Sequence, residues 1–274
     1  MMGGLRRFRH AGRRVARVPR RLSDNRLSRF SSLAMSVNRI FCIGKNYAEH
    51  VAELAHLDAA ASEGLRAPKA ATRSAAAAAP APTALRADAV SPPDGDCVVF
   101  MKPASCIVEE GQPIVLPRGR GAVHHEAELV IELTGGGRDI PEDEALDCVA
   151  GMTLGLDLTL RDLQTELKRS GKPWELAKAF DGSAPMGMIR PYLEQDLQDI
   201  HFTCHVNGVL RQHGHTRDML FTVARQIHIL SQTWALEPGD VLFTGTPKGV
   251  GPLRPGDEIV LASPLLGEFR WSCA

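Results

Sequence analysis

Glu126 and Glu128, in the stretch His124-His125-Glu126-Ala127-Glu128-Leu129-Val130-Ile131, set two carboxylates two residues apart at the start of a β-branched run. Side chains alternate across a strand, so the pair points the same way. Such spacing ordinarily marks the wet face of a sheet. A third carboxylate changes the reading: Asp157 lies among Met152, Leu154, Leu156 and Leu158, where an uncompensated charge is costly. If a neighbouring strand brings Asp157 to the glutamates, three hard oxygen donors converge on one point. That set suits Mg²⁺ or Mn²⁺, with water and substrate in the remaining positions.

A second pair, His50 and Glu53, stands at i,i+3 on a segment that reads as a helix over Asn46–Leu54 with Asn46 as its cap. On spacing alone the pair is a solvated helix face. A histidine beside a carboxylate is also the usual general base near neutral pH. His124 and His125 precede the acidic pair and are candidates to orient it, or, for His125, to touch the ion. His205, His213 and His215 show no ligand spacing and read as surface residues.

The elements that must position these groups are mostly short strands. Apolar runs predict strands at Arg39–Gly44, Val98–Phe100, Ile114–Leu116, Glu128–Leu133, Met152–Thr159, His201–Val206 and Asp240–Thr244, with turns at Gly135-Gly136-Gly137 and Asn207-Gly208. Further helices are predicted over Pro141–Val149, Arg161–Ser170 and Phe221–Gln232. Many strands and few helices imply a β-rich α+β fold with helices at its edges.

Two segments stand apart from that fold. Of 32 basic and 32 acidic residues, ten arginines and one acid, Asp24, fall within residues 1–36, leaving an acidic body of 22 basic and 31 acidic residues. The arginine-rich, acid-poor start reads as a mitochondrial presequence, with the cytosol the location if it is not one. A nucleic-acid arm is the competing reading, but the acidic body offers no basic surface to continue it. Residues 58–95 are rich in alanine and proline, with no aromatic residue, and read as a low-complexity insertion that builds no core. The organisation is therefore a leader (1–36) and one catalytic domain (37–274) interrupted at 58–95. No uncharged apolar run is long enough to span a membrane. Six scattered cysteines without a C-x-x-C pair indicate neither a zinc site nor a disulfide framework. The expected partners are thus a small molecule, with no nucleic acid and no membrane.

The motifs Gly44-Lys45-Asn46-Tyr47-Ala48-Glu49-His50, Phe100-Met101-Lys102-Pro103, His124-His125-Glu126-Ala127-Glu128-Leu129, Gly155-Leu156-Asp157-Leu158-Thr159-Leu160-Arg161-Asp162-Leu163-Gln164, Lys172-Pro173-Trp174, Ala177-Lys178, Val206-Asn207-Gly208 and Thr244-Gly245-Thr246-Pro247-Lys248-Gly249-Val250-Gly251 occur in an order and spacing that resembles the fumarylacetoacetate hydrolase family, including its small acylpyruvase and oxaloacetate decarboxylase members. The resemblance spans nearly all of the chain outside the leader and the insertion. It implies a mixed β-sandwich roll with peripheral helices, a homodimer, and Mg²⁺ or Mn²⁺ held by Glu126, Glu128 and Asp157. It also implies catalytic roles for His50, Glu53 and Lys178, and a small 2-oxo acid bound by Arg161, Gln164, Gly245 and Thr246. A bland ion-pair role for Arg161 stands beside that one. The insertion follows the His50 helix, where the family carries a mobile lid. The activity implied is hydrolysis of the C–C bond of 3-acylpyruvates to pyruvate and a carboxylate, with oxaloacetate decarboxylation beside it. Keto-enol tautomerisation of oxaloacetate, or a hydroxymuconate-type isomerisation, is the alternative, since the same enolate can be reprotonated instead of cleaved. A cation-binding scaffold without turnover is the non-enzyme alternative.

Overall fold

The computed structural model describes residues 37–54 and 97–274. The leader 1–36 and the insertion 58–95 lie outside the described residues. The strands, in chain order, are β1 (Ile40–Gly44), β2 (Val98–Lys102), β3 (Ile107–Glu109), β4 (Val123–His125), β5 (Ala127–Gly137), β6 (Val149–Leu156), β7 (Thr159–Leu160), β8 (Ala184–Met186), β9 (Arg190–Pro191), β10 (His201–Val206), β11 (Val209–His215), β12 (Leu236–Phe243), β13 (Gly251–Leu253), β14 (Glu258–Ser263) and β15 (Gly267–Ser272). The helices are α1 (described over 48–54), α2 (Arg161–Arg169), α3 (Glu175–Lys178) and α4 (Val223–Thr233).

The largest sheet runs β2-β1-β12-β5-β6-β8-β3, with β9 also paired to β6. It is mixed: β1 lies parallel to β12 and β3 to β8, while the other pairs are antiparallel. A second sheet, β11-β10-β14-β15, is wholly antiparallel, and β13-β4-β7 form a third. Leu129, Ile131, Leu133 and Leu154 on one face of the large sheet share a core with Phe202, Leu261, Phe269 and Trp271 of the second, which makes a sandwich. On the opposite face Ile40, Cys42, Val130, Val241 and Phe243 pack with Phe100, Cys106 and Ala184. Burial on both faces explains why 129–133 reads as a nearly continuous apolar run. The β-rich α+β sandwich with peripheral helices is the architecture expected above.

Several local expectations change. The glycines 135–137 continue β5 through register shifts opposite Leu236 and Pro238 instead of forming a turn. Residues 142–148 form a 3₁₀ helix, not an α-helix. At 114–116 there is a single bridge, Ile114 to Cys273, in place of a strand. Asn207 and Gly208, both at positive φ, do turn the chain from β10 into β11.

Asn46 is not a helix cap. It is fully buried, and α1 starts two residues later. Its amide donates to the carbonyls of Phe221 and Thr244 at 3.1 and 2.8 Å and accepts from Phe221 N–H at 2.7 Å. One side chain therefore ties the loop after β1 to the end of β12 and the approach to α4. Asn46→Ala strands those backbone groups in the interior, and we expect a loss of about 2–4 kcal/mol in urea unfolding. A loss below about 0.5 kcal/mol, the range of an inconsequential surface change, would contradict this bracing role.

Among the described residues no helix is long and apolar enough to cross a membrane.

Candidate active site

The pairing of β5 with β6 builds the acidic cluster. Ala127 lies opposite Leu156, and Asp157 N–H donates to Glu126 O at 2.8 Å, so the residues flanking that pair meet. Glu126 sits just before β5, Glu128 is its second residue, and Asp157 falls one residue beyond β6 instead of inside a strand. One carboxylate oxygen from each lies within 4.8 Å of the others, and all three side chains are buried.

Three buried cations answer these three acids. Lys178, from α3, donates to Glu126 Oε2 at 2.7 Å and Asp157 Oδ2 at 2.5 Å. Arg161, the first residue of α2, bonds Glu126 Oε1 and donates to Gln164 Oε1 at 2.6 Å. Lys102, at the end of β2, reaches Asp157 Oδ1 at 2.9 Å and donates to Ser183 O at 2.8 Å and to Lys178 O. Lys102 thus fixes both an acid of the cluster and the turn that carries Lys178.

Charge separates the carboxylates. Burial pushes Glu126 up, but Lys178 and Arg161 outweigh it and hold the acid well below the usual carboxylate range. Glu128 forms no ion pair among the described residues; burial, then Asp157 and Glu126, push it well above that range, against the Gly245 N–H that donates to Oε2 at 2.8 Å and the more distant charge of Lys178. Burial alone would lower Lys178, yet Asp157 and Glu126 raise it, so it stays an ammonium. Three converging buried oxygen donors, one of them crowded by like charge, fit a hard divalent cation: the donor set is all carboxylate, and the ion relieves their repulsion.

The cluster floors a pocket whose wall includes His50, Leu54, Phe100, Arg161, Gln164, Trp174, Lys178 and Thr246. The structure thus brings most of the site residues named from sequence into one cavity, with Glu53 and Gly245 immediately behind it. His50 is buried on α1, and its Nδ1 lies 3.1 Å from Glu53 Oε2. Burial raises Glu53, but the bond from His50 and then the Gly249 N–H lower it on balance, so it stays ionised. A carboxylate only accepts, so His50 Nδ1 is the donor of this bond and Nε2 is the ring nitrogen not engaged by Glu53. The Gly249 N–H, 3.0 Å from Glu53 Oε1, pins α1 to the 245–250 loop.

That loop is itself constrained. Gly245 has φ +104°, and a Cβ there would come within 2.6 Å of Asn46 Cβ, so only glycine fits. Its N–H is engaged by Glu128, and the Thr246 hydroxyl donates to Ala127 O at 2.9 Å while accepting from Gln212 at 2.8 Å. These groups hold the floor of the pocket, a use the sequence reading, which reserved them for substrate, did not include.

Neither His124 nor His125 hydrogen-bonds a cluster carboxylate among the described residues. His125 Nδ1 meets Gln212 Oε1 at 2.9 Å, and burial lowers its pKa; burial and then Arg161 take His124 down to about 4. Gln212 also accepts from Ala127 N–H at 3.0 Å. Sequence reasoning gave no role to Gln212, on an unassigned strand, or to Lys102. The signal for Lys102 was present: a lysine closing the apolar run Val98-Val99-Phe100-Met101 needs a buried partner. All six cysteines are free.

Lys178→Met keeps an unbranched side chain, one atom shorter, and removes its charge. We expect turnover to fall roughly 10²-fold, as for loss of one preorganised donor, while Mn²⁺ affinity measured by electron paramagnetic resonance is retained, because no cluster oxygen is lost. Loss of Mn²⁺ binding in this variant would show that Lys178 organises the acids instead of acting on substrate.

A family model described as "Fumarylacetoacetate (FAA) hydrolase C-terminal" matches residues 39–272. The chain is 38% identical over 223 residues to the mitochondrial oxaloacetate tautomerase FAHD1 of Mus musculus, covering 80% of this chain and 84% of that protein. It is 35% identical over 227 residues to the oxaloacetate tautomerase YcgM of Escherichia coli K12, covering 82% and 88%. Among solved structures it resembles fumarylpyruvate hydrolase from Pseudomonas aeruginosa in complex with Mn²⁺ and pyruvate, with TM-score 0.69 and 32% identity over 87% of this chain and 90% of that one. With the match running from the start of β1 to the end of β15, across every strand that frames the acidic pocket, this chain belongs to the fumarylacetoacetate hydrolase family.

Proposed function

We propose that this chain is a divalent-metal-dependent enzyme that enolises a small 2-oxo dicarboxylate, with keto-enol tautomerisation of oxaloacetate as its reaction. This ranks first the reading that the sequence carried as its alternative, because the relatives named as oxaloacetate tautomerases are more similar than the hydrolase. The observation that carries the proposal is the balance of the pocket: three buried carboxylates against three buried cations. A divalent ion and a doubly charged anion then enter together without leaving net charge in the interior.

Glu126, Glu128 and Asp157 would hold the ion, Mg²⁺ or Mn²⁺. When bound, it supplies a Lewis acid that polarises the keto oxygen and stabilises enolate charge. Lys178 supplies a fixed ammonium toward the same oxygens, and Arg161, oriented by Gln164, a second positive group for a carboxylate. His50 Nε2 takes the C3 proton and returns it to the C2 oxygen, while Glu53, which accepts the Nδ1–H, orients the ring and stabilises the imidazolium formed in between. Trp174, Phe100 and Leu54 narrow the pocket against water.

Hydrolysis of a 3-acylpyruvate is the second reading, favoured by the same His50–Glu53 pair. There His50 would deprotonate a water that attacks the distal carbonyl; the C–C bond breaks, and the three-carbon fragment takes up a proton to leave as pyruvate. Protein with Mg²⁺ is mixed with oxaloacetate or acetylpyruvate while enol absorbance and pyruvate are followed together. Enol equilibration of oxaloacetate faster than any pyruvate release supports the tautomerase; pyruvate appearing in step with substrate loss replaces it with the hydrolase or decarboxylase. We further propose a mitochondrial location and a homodimer, to be tested by import with and without residues 1–36 and by light scattering.

A further inference from the structure

Four of the chain's ten histidines stand on the outer face of the second sheet. Along β10 the buried residues Phe202, Cys204 and Val206 turn inward, so His201 and His205 point out. On β11 the buried Gln212 and Gly214 turn inward, leaving His213 and His215 on the same outer face. The antiparallel register sets His215 opposite His201 and His213 opposite Thr203. The rings of His201 and His215 stack with centroids 3.9 Å apart, and the ring of His213 lies 6.0 Å from that of His201. Asp199, just ahead of β10, accepts from His215 Nε2 and from Arg217 Nη2, each at 2.9 Å and both on Oδ1. One ligand atom each from Asp199, His201 and His215 lies within 4.8 Å of the others.

We propose that Asp199, His201 and His215 form a second metal site, separate from the active site and selective for a late first-row divalent ion of the Zn²⁺ or Cu²⁺ kind. The donor chemistry makes the distinction. Two imidazoles with one carboxylate favour zinc and copper, whereas the all-carboxylate cluster in the pocket favours magnesium and manganese. The geometry is close to ready. An ion with arms of about 2.0–2.1 Å in a tetrahedron separates neighbouring ligand atoms by about 3.3 Å, near the 2.9 Å already between His215 Nε2 and Asp199 Oδ1. His201 and His215 sit on directly paired backbone positions, so the ladder fixes their separation and only ring rotation is needed. Arg217 is the opposing charge. It is 68% exposed and can swing into water as the ion replaces it on Asp199. Such an ion ties the edge strand β11 to β10 and to the loop ahead of it.

The full chain, with excess Mg²⁺ present, is titrated with Zn²⁺ by calorimetry and with Cu²⁺ by electron paramagnetic resonance, beside His201→Ala, His215→Ala and Asp199→Asn. We expect wild type to take up one more Zn²⁺ equivalent than the variants, or to bind it at least about tenfold more tightly, with nitrogen hyperfine coupling on Cu²⁺ that weakens in both histidine variants. Zn²⁺ should raise the wild-type melting temperature and leave those of the variants unmoved. Equal uptake and affinity in all four proteins, or a Cu²⁺ spectrum without nitrogen coupling in wild type, overturns the site. Because Asp199→Asn changes no ring and keeps the side chain's size, it serves if a histidine variant fails to fold.

Discussion

Glu128→Gln is expected to lower turnover by roughly 10³-fold or more while leaving the fold at least as stable as wild type in the presence of chelator. The two effects have one cause. Glu128 is buried beside Asp157 and Glu126, so its charge is unfavourable there and is useful only to a cation. Glutamine keeps the volume and can still accept from Gly245 N–H, but brings no charge to the ion. Activity is therefore lost through the metal and not through the scaffold. Steady-state kinetics with Mg²⁺, Mn²⁺ affinity and a thermal melt on the same sample separate these terms. Turnover within tenfold of wild type would remove Glu128 from the site, and a melting temperature lowered by many degrees would make its role structural.

The second large effect is expected at His50. His50→Ala should cost roughly 10²–10³ in turnover, the usual contribution of a positioned general base, with Mn²⁺ binding unchanged because His50 makes no bond to the acidic cluster among the described residues. Glu53 acts through His50. Glu53→Gln keeps one acceptor oxygen, which in the place of Oε2 still receives both His50 Nδ1–H and Gly249 N–H, so it should cost less than His50→Ala and keep the binding of substrate analogues. If the histidine variant retains the wild-type rate, proton transfer belongs to another group in the pocket, and Lys178 is the next to test.

How far the sequence exposes this site depends on whether each signal is local. Glu126, Glu128 and Asp157 are legible because acids interrupt apolar strands, and burial makes an unexplained charge costly. The α2 boundary at Arg161–Arg169 is nearly the predicted one, because Pro-free amphipathic spacing from 161 onward is a local property. Asn46 misleads because its type and place imitate a cap, whereas its partners, Phe221 and Thr244, are distant in sequence and brought near by the parallel pairing of β1 with β12. That pairing is secured in turn by Arg39, whose guanidinium grips Asp240 through Nε at 2.9 Å and Nη2 at 2.5 Å, again a link invisible along the chain. The sequence reading assigns nothing at β14 and β15, although Ile259, Leu261, Phe269 and Trp271 alternate with outward residues there. β11 is harder: Arg211, Gln212, His213 and His215 carry little apolar signal, and Gly214 lies where a Cβ would strike the ring of Phe202. Gln212, on that strand, is therefore found only once the sandwich is assembled.

In the proposed reaction a divalent ion on Glu126, Glu128 and Asp157 is needed to enolise a 2-oxo acid in this pocket. The most direct test is the rate of oxaloacetate tautomerisation and of acetylpyruvate loss by the full chain before chelation, after exhaustive chelation, and after Mg²⁺ is restored. The rates should fall to the buffer background on chelation and return with one equivalent of bound Mg²⁺ in wild type but not in Glu128→Gln. A chelated protein that keeps its full rate contradicts this metal dependence.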